Sequence, residues 1–153
     1  MLLAVALWLG AHSGAVAAID GRVVGVVDGD TIDVLVDRQP IRIRLAEIDA
    51  PERRQPFGTQ SRNALAKITF GREVRVVESS TDRYGRTVGT VFIGARNVNG
   101  EMVASGMAWA YRRYLLDVGY LQLELNAREQ RVGLWRDPYP IAPWAWRRIG
   151  KGS

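Results

Sequence analysis

Residues 21–46 carry the pattern that most limits the fold. Gly21 to Val27 and Thr31 to Val36 are two β-branched runs held apart by Asp28-Gly29-Asp30. An Asp-Gly step between two such runs is a hairpin signal, because it supplies the backbone conformation a tight turn between twisted strands requires. Pro40 to Ala46 then alternates, with Ile41, Ile43 and Leu45 on one side and Arg42 and Arg44 on the other. The alternation predicts a third strand with an apolar face and a basic face.

The rest of the chain continues in short elements. Phe57 to Phe70 has helical spacing at Phe57, Ala64, Leu65 and Ile68, and Gly71 stops it. Glu73 to Glu78 and Arg86 to Ile93 read as two more strands, joined by a turn through Ser79 to Gly85. Asn99 is placed to cap a short helix reaching Ser105 and ended by Gly106. Asp117 to Arg131 reads as a longer helix with Leu121, Leu125 and Ala127 inward. The fold class expected is α+β and mainly β: a five-stranded barrel of OB type with three helices.

Composition narrows the chemistry. The chain has 153 residues, which suits one domain with one core. It has no cysteine, so thiol catalysis, thiolate zinc sites and disulfides are excluded. Its one histidine, His12, lies in the first segment. Imidazole-dependent hydrolysis and Ser-His-Asp triads therefore drop out of the remainder. Catalysis must rest on carboxylates, arginines, tyrosines or a metal held by oxygen. Twenty-one basic residues against 16 acidic ones give a formal charge of +5, which suits a polyanionic partner. An arginine bias also arises from genome composition, so charge alone decides little.

Leu2 to Leu9 is apolar and is followed by small residues at Ala15-Val16-Ala17. This reads as a secretory signal peptide over residues 1–18, cleaved near Ala17 or Ala18, although no Lys or Arg precedes the apolar run; a retained membrane anchor and an N-terminal strand of the domain are the alternatives. Residues 19–148 then form the domain and 149–153 a short tail. The expected location is secreted or periplasmic, with no stable membrane association.

The chemistry-bearing residues are short-range motifs. Asp30 and Asp49 offer hard oxygen ligands suited to Ca²⁺ or Mg²⁺. Taken singly, Asp30 also reads as a hairpin residue bonding its own backbone, and Asp49 as a loop acid before Pro51. Asp28 either shapes the turn or adds charge. Glu52 places a second carboxylate close to the proposed cation, where it can serve an attacking water or remain an exposed turn acid. Arg44 and Arg86 suit the charge that develops on a phosphorane-like transition state. Their ordinary readings are a solvated strand face and a cross-strand ion pair.

In order, these motifs are Val27-Asp28-Gly29-Asp30-Thr31, Ile41-Arg42-Ile43-Arg44-Leu45, Ile48-Asp49-Ala50-Pro51-Glu52 and Asp82-Arg83-Tyr84-Gly85-Arg86. The series resembles the staphylococcal nuclease (thermonuclease-like) family, from about Gly21 to the Trp144–Trp146 segment. The resemblance implies barrel closure. It implies Ca²⁺ held by Asp30, Asp49 and the backbone carbonyl of Ala50, a position where the best-known member has threonine. It implies Glu52 as general base or water-positioning group, with Arg44 and Arg86 as catalytic arginines. Arg83 and Tyr84 match a flanking phosphate contact. Tyr111, and more distantly Tyr114, match a stacking region, in a stretch one residue shorter than in the best-known member. The implied activity is hydrolysis of DNA and RNA with little sequence preference, single strands preferred, giving 3′-phosphorylated products from a monomer.

Three features depart from the pattern. Glu47 adds a negative charge near the site, the loop from Arg53 to Gly58 is short, and Arg53 and Arg54 bring positive charge toward Glu52. The closing Pro143-Trp144-Ala145-Trp146-Arg147-Arg148 reads as a cover packed on the barrel. A non-catalytic nucleic-acid-binding module and a structural domain at the cell envelope are the competing readings.

Overall fold

The computed structural model describes residues 18–150. Five strands build a barrel: β1 (Ala18–Asp28), β2 (Thr31–Val36), β3 (Gln39–Leu45), β5 (Glu73–Thr81) and β6 (Thr87–Ile93). Between β3 and β5 come β4 (Ile48–Asp49) and helix α1 (Gly58–Thr69). After β6 come β7 (Arg96–Asn97), α2 (Val98–Ala104), β8 (Trp109–Ala110), α3 (Gly119–Glu129) and α4 (Pro143–Ile149). The signal-peptide reading of residues 1–18 falls outside the described residues except at Ala18, which already belongs to β1.

The hairpin forms as its sequence requires, with β1 antiparallel to β2 and Asp28 opposite Thr31. β2 pairs in turn with β3, and the register sets Thr31 opposite Arg44. On its other edge β1 pairs with β5, and β5 with β6. Closure comes from a parallel pairing of β3 with β6, through Ile43↔Thr87, Arg44↔Val88 and Leu45↔Gly89. A closed barrel leaves no free edge among these strands. It also brings Arg44, ending β3, beside the start of β6, just after Arg86.

Alternation along each strand fills the interior. Ile32, Val34, Ile43, Leu45, Val76 and Val91 are fully buried in one cluster, with Leu65 of α1 and Val98, Met102 and Val103 of α2. Fully burying one such side chain contributes about 1.5–3 kcal/mol, so this cluster dominates the stability of the domain. A second cluster joins Trp109, Ala127, Leu134 and Trp135, with Phe57 and Trp144 packed against it.

Three expectations change. The cap of α2 is Asn97, whose side chain accepts from Gly100 N at 3.0 Å. Asn99 is instead buried, accepting from Val91 N and donating to Ala46 O and Gly89 O. In α3, Leu125 is exposed while Glu124 is buried, because Glu124 accepts from Ala110 N and pairs with Arg112 and Arg128. The closing segment is a fourth α-helix, with Pro143 at its first turn, where a missing N–H costs nothing. Its Trp144 packs on the second cluster, beside the barrel rather than on the barrel strands as expected.

Candidate active site

The turn after β1 places the first acid. Asp28 Oδ1 accepts from Asp30 N at 3.1 Å. The turn is compact at Gly29: a Cβ there would lie 1.9 Å from Ser61 Oγ and 2.7 Å from the Ala50 Cβ. Asp30 is buried, and its Oδ2 accepts from Ala50 N at 2.7 Å while Oδ1 accepts from Thr31 Oγ1 at 3.1 Å. The two-residue strand β4 places the second acid. It pairs with β8 through Asp49↔Trp109, and Asp49 is buried.

Arg44 sits between these acids. Its Nη2 lies 3.1 Å from Asp49 Oδ1 and 3.3 Å from Asp30 Oδ2, and its Nη1 donates to Leu45 O and Ile48 O. The side chain is only 14% exposed, so the solvated-face reading fails for Arg44 and holds for Arg42, which pairs with Asp33 in solvent. Arg86, in the turn immediately before β6, donates from Nε to Asp82 Oδ2 at 2.7 Å. This is a local ion pair within one turn rather than a cross-strand one. Asp82 Oδ1 also accepts from Tyr84 N and Arg86 N, so the carboxylate shapes the whole Asp82–Arg86 turn. Burial alone would raise Asp82, but these bonds hold it below the ordinary carboxylate value.

Nine of the residues singled out by the sequence line one cleft of about 850 Å³: Asp30, Arg44, Asp49, Ala50, Glu52, Arg83, Tyr84, Arg86 and Tyr111. Tyr114 and Glu47 join its wall. Glu47 has a positive φ of 63°. Its carboxylate accepts from Leu116 N and Asp117 N, and its carbonyl from Tyr111 N, so it ties down the far wall. Tyr84 is exposed at the mouth, with Arg83 over its ring.

Two of the acids are held above the ordinary carboxylate value. Asp28 is raised to about 6, first by burial and then by Asp30. Asp49 is raised by burial and by Asp30, against the pull of Arg147 and Arg44. Among the described residues no group of three His, Cys, Asp or Glu side chains could hold a metal ion. The acids that the site offers are the buried Asp30 and Asp49, with Asp28 and Glu52 on the same cleft. This set contains no soft ligand, and it fits a hard cation such as Ca²⁺.

The sequence reading missed Arg147. From α4 its Nη1 reaches Glu52 Oε1 at 2.7 Å, and its Nη2 reaches Asp49 Oδ2 at 2.7 Å. Arg53 and Arg54 are exposed and make no ion pair with Glu52, so the cation beside Glu52 comes from the end of the chain. The only hint in the sequence was a guanidinium next to a tryptophan pair in the closing segment.

The model of the staphylococcal nuclease homologue family matches residues 42–137. The chain belongs to the staphylococcal nuclease family. It is 54% identical to "Protein ParB" of Escherichia coli, over 89% of this chain and 83% of that protein. It is 51% identical to "Micrococcal nuclease" of Shigella flexneri, over 87% of this chain and 83% of that one. An "Uncharacterized endonuclease" of Haemophilus influenzae is 46% identical, over 85% of this chain and 74% of its own length. Family membership accounts for the barrel and its order of motifs. No helix among the described residues is long and apolar enough to cross a membrane.

Proposed function

We propose that this member of the family is a secreted, Ca²⁺-dependent nuclease acting on DNA and RNA with little sequence preference. It is a nuclease, hence a phosphodiester hydrolase. The observation that carries the finer reading is the meeting of two buried carboxylates, a third acid and two arginines in one cleft, although they lie far apart along the chain. Without a compensating cation, such acids would repel a phosphate. A bound Ca²⁺ at Asp30, Asp49 and the Ala50 carbonyl would supply that charge and polarise the phosphate.

The chain's own groups do the rest. Glu52 holds an attacking water or takes its proton. Arg44 and Arg86 donate to the phosphoryl oxygens as charge grows on them. Arg86 is free to turn from Asp82 toward the cleft, because its pairing is local and part-exposed. Arg83 contacts a flanking phosphate, Tyr84 offers an exposed face for stacking, and Tyr111, stacked on Trp144 by one face, is left with the other. Stacking demands unpaired bases, which favours single strands. Water attacks phosphorus and the 5′ oxygen leaves, giving 3′-phosphorylated products from a monomeric enzyme.

The test is digestion of single-stranded DNA and RNA with Ca²⁺ and with chelator. Cutting should require the ion, and Glu52→Gln and Arg86→Ala should each slow it by about two to three orders of magnitude at unchanged fold. Ca²⁺-stimulated cutting at the normal rate by both variants would remove the assigned roles. Tight binding without cutting by the wild type would favour the non-catalytic module.

A further inference from the structure

Arg147 is not part of the ordered motif series, yet it makes short contacts to two of the site's acids. Its guanidinium spans two carboxylates, with Nη2 to Asp49 Oδ2 at 2.7 Å, Nη1 to Glu52 Oε1 at 2.7 Å and Nη1 to Asp49 Oδ1 at 3.2 Å. Hydrogen bonding to Asp49 raises Arg147 further above its ordinary value, so it is a fixed cation. Asp49 is 1% exposed, and both its oxygens are engaged by Arg147, with Arg44 sharing Oδ1.

The placement is built rather than incidental. Trp144, one turn earlier on α4, stacks on Tyr111 at 5.5 Å with planes 5° apart and meets Trp109 edge-on. Pro143 is buried. Ahead of the helix, Ile141 O accepts from Gln55 Nε2 at 2.6 Å, and the same Gln55 accepts from Glu52 N through Oε1. The loop carrying Glu52 and the approach to α4 are therefore one hydrogen-bonded unit, and the helix can deliver Arg147 to one place.

We propose that Arg147 is a positioning residue of this site. It orients the Glu52 carboxylate from α4 and, as the internal counter-ion of Asp49, sets the divalent-ion concentration at which the site fills. The inference rests on the reading of Asp30 and Asp49 as metal ligands. A guanidinium bonded to a ligand carboxylate opposes an incoming cation, whether it moves aside or stays. Removing it must therefore strengthen ion binding, while Glu52 loses the bond that fixes it.

The experiment titrates Ca²⁺ by calorimetry into the nucleic-acid-free protein and measures kcat and KM on single-stranded DNA at saturating Ca²⁺. It compares the wild type, Arg147→Gln and Arg147→Lys. Arg147→Gln should bind Ca²⁺ at least about threefold more tightly. Its kcat should fall about tenfold or more, with KM changed far less. Arg147→Lys keeps the charge but loses the fork, so its Ca²⁺ affinity should stay near wild type and its kcat fall between the two. Unchanged or weaker Ca²⁺ binding by Arg147→Gln overturns the proposal, as does a loss carried by KM alone, which would make Arg147 a substrate contact. If the glutamine variant does not fold, a lysine variant with wild-type kcat overturns it. A wild type that neither binds Ca²⁺ nor cuts removes the functional reading and this inference with it, whereas a normal wild type beside an unaffected variant removes the inference alone.

Discussion

At the scale of single residues, the site is defined by an excess of buried negative charge. Asp28 shows the cost most clearly. Its folded value of about 6 lies above the ordinary 3.8 because burial and Asp30 disfavour its charge. Between those values the folded protein holds a proton that the unfolded chain has released, so stability falls as pH rises through this window, and the full penalty stands above pH 6. Asp28→Asn keeps an oxygen for Asp30 N and removes the charge. In chelator at pH 8 it should stabilise the protein by about 1–3 kcal/mol, read by urea denaturation, with a smaller gain at pH 5. Added Ca²⁺ should narrow the pH 8 gap, and a gain independent of pH would mean that the charge is not the cause. The residues that the sequence revealed are those in short motifs, where neighbours such as Gly29 and Pro51 report the local geometry. Arg147 was illegible because its bonds to Glu52 and Asp49 cross 95 and 98 residues.

At the scale of elements, the long alternating strands were legible and the small connecting pieces were not. β4 and β8 have two residues each, too few for any periodicity, yet β4 carries Asp49. Helix α3 buries Glu124 where an apolar stripe was expected, because tertiary partners override the pattern. Asn99 belongs to the same class: it resembles a cap in sequence but acts as a fastening between α2, β6 and the end of β3. Its amide satisfies Val91 N, Ala46 O and Gly89 O inside the core. Asn99→Ala takes the amide from Val91 N and Ala46 O where water does not reach, while Gly89 O keeps its bond from Ala46 N, and should cost about 2–4 kcal/mol. Thermal unfolding with and without Ca²⁺ would show the loss in both, since the bonds lie outside the residues proposed to hold the ion. Gly58 is a second fastening, since a Cβ there would stand 2.0 Å from the Glu52 carbonyl oxygen. Gly58→Ala must therefore shift the backbone that bears Glu52. Nuclease kcat should fall by about tenfold or more, because small displacements at a reacting group are costly. An alanine variant with wild-type kcat would show that Glu52 tolerates such movement.

At the scale of the whole molecule, the charge of +5 is spent unevenly. Arg42, Arg75 and Arg96 are matched by Asp33, Asp20 and Glu101 on the outside of the barrel. Arg44 and Arg147 are held by the site's own acids. At the mouth of the cleft, Arg83 and Arg113 are exposed and have no carboxylate partner among the described residues, and Arg86 has only Asp82. Two or three arginines are therefore available to neutralise phosphates, and each phosphate neutralised releases condensed counterions. For a single strand the logarithm of affinity then falls with that of salt at a slope of about −0.7 per contact, so binding between 50 and 200 mM salt should weaken about 7- to 20-fold. In a rate assay the change belongs in KM, while kcat, set by groups shielded inside the cleft, stays nearly level. Arg83→Gln and Arg113→Gln should each reduce the salt slope by about 0.7 without changing which base is cut. A slope indifferent to both would place the strand on another face of the barrel, away from the cleft where the acids converge.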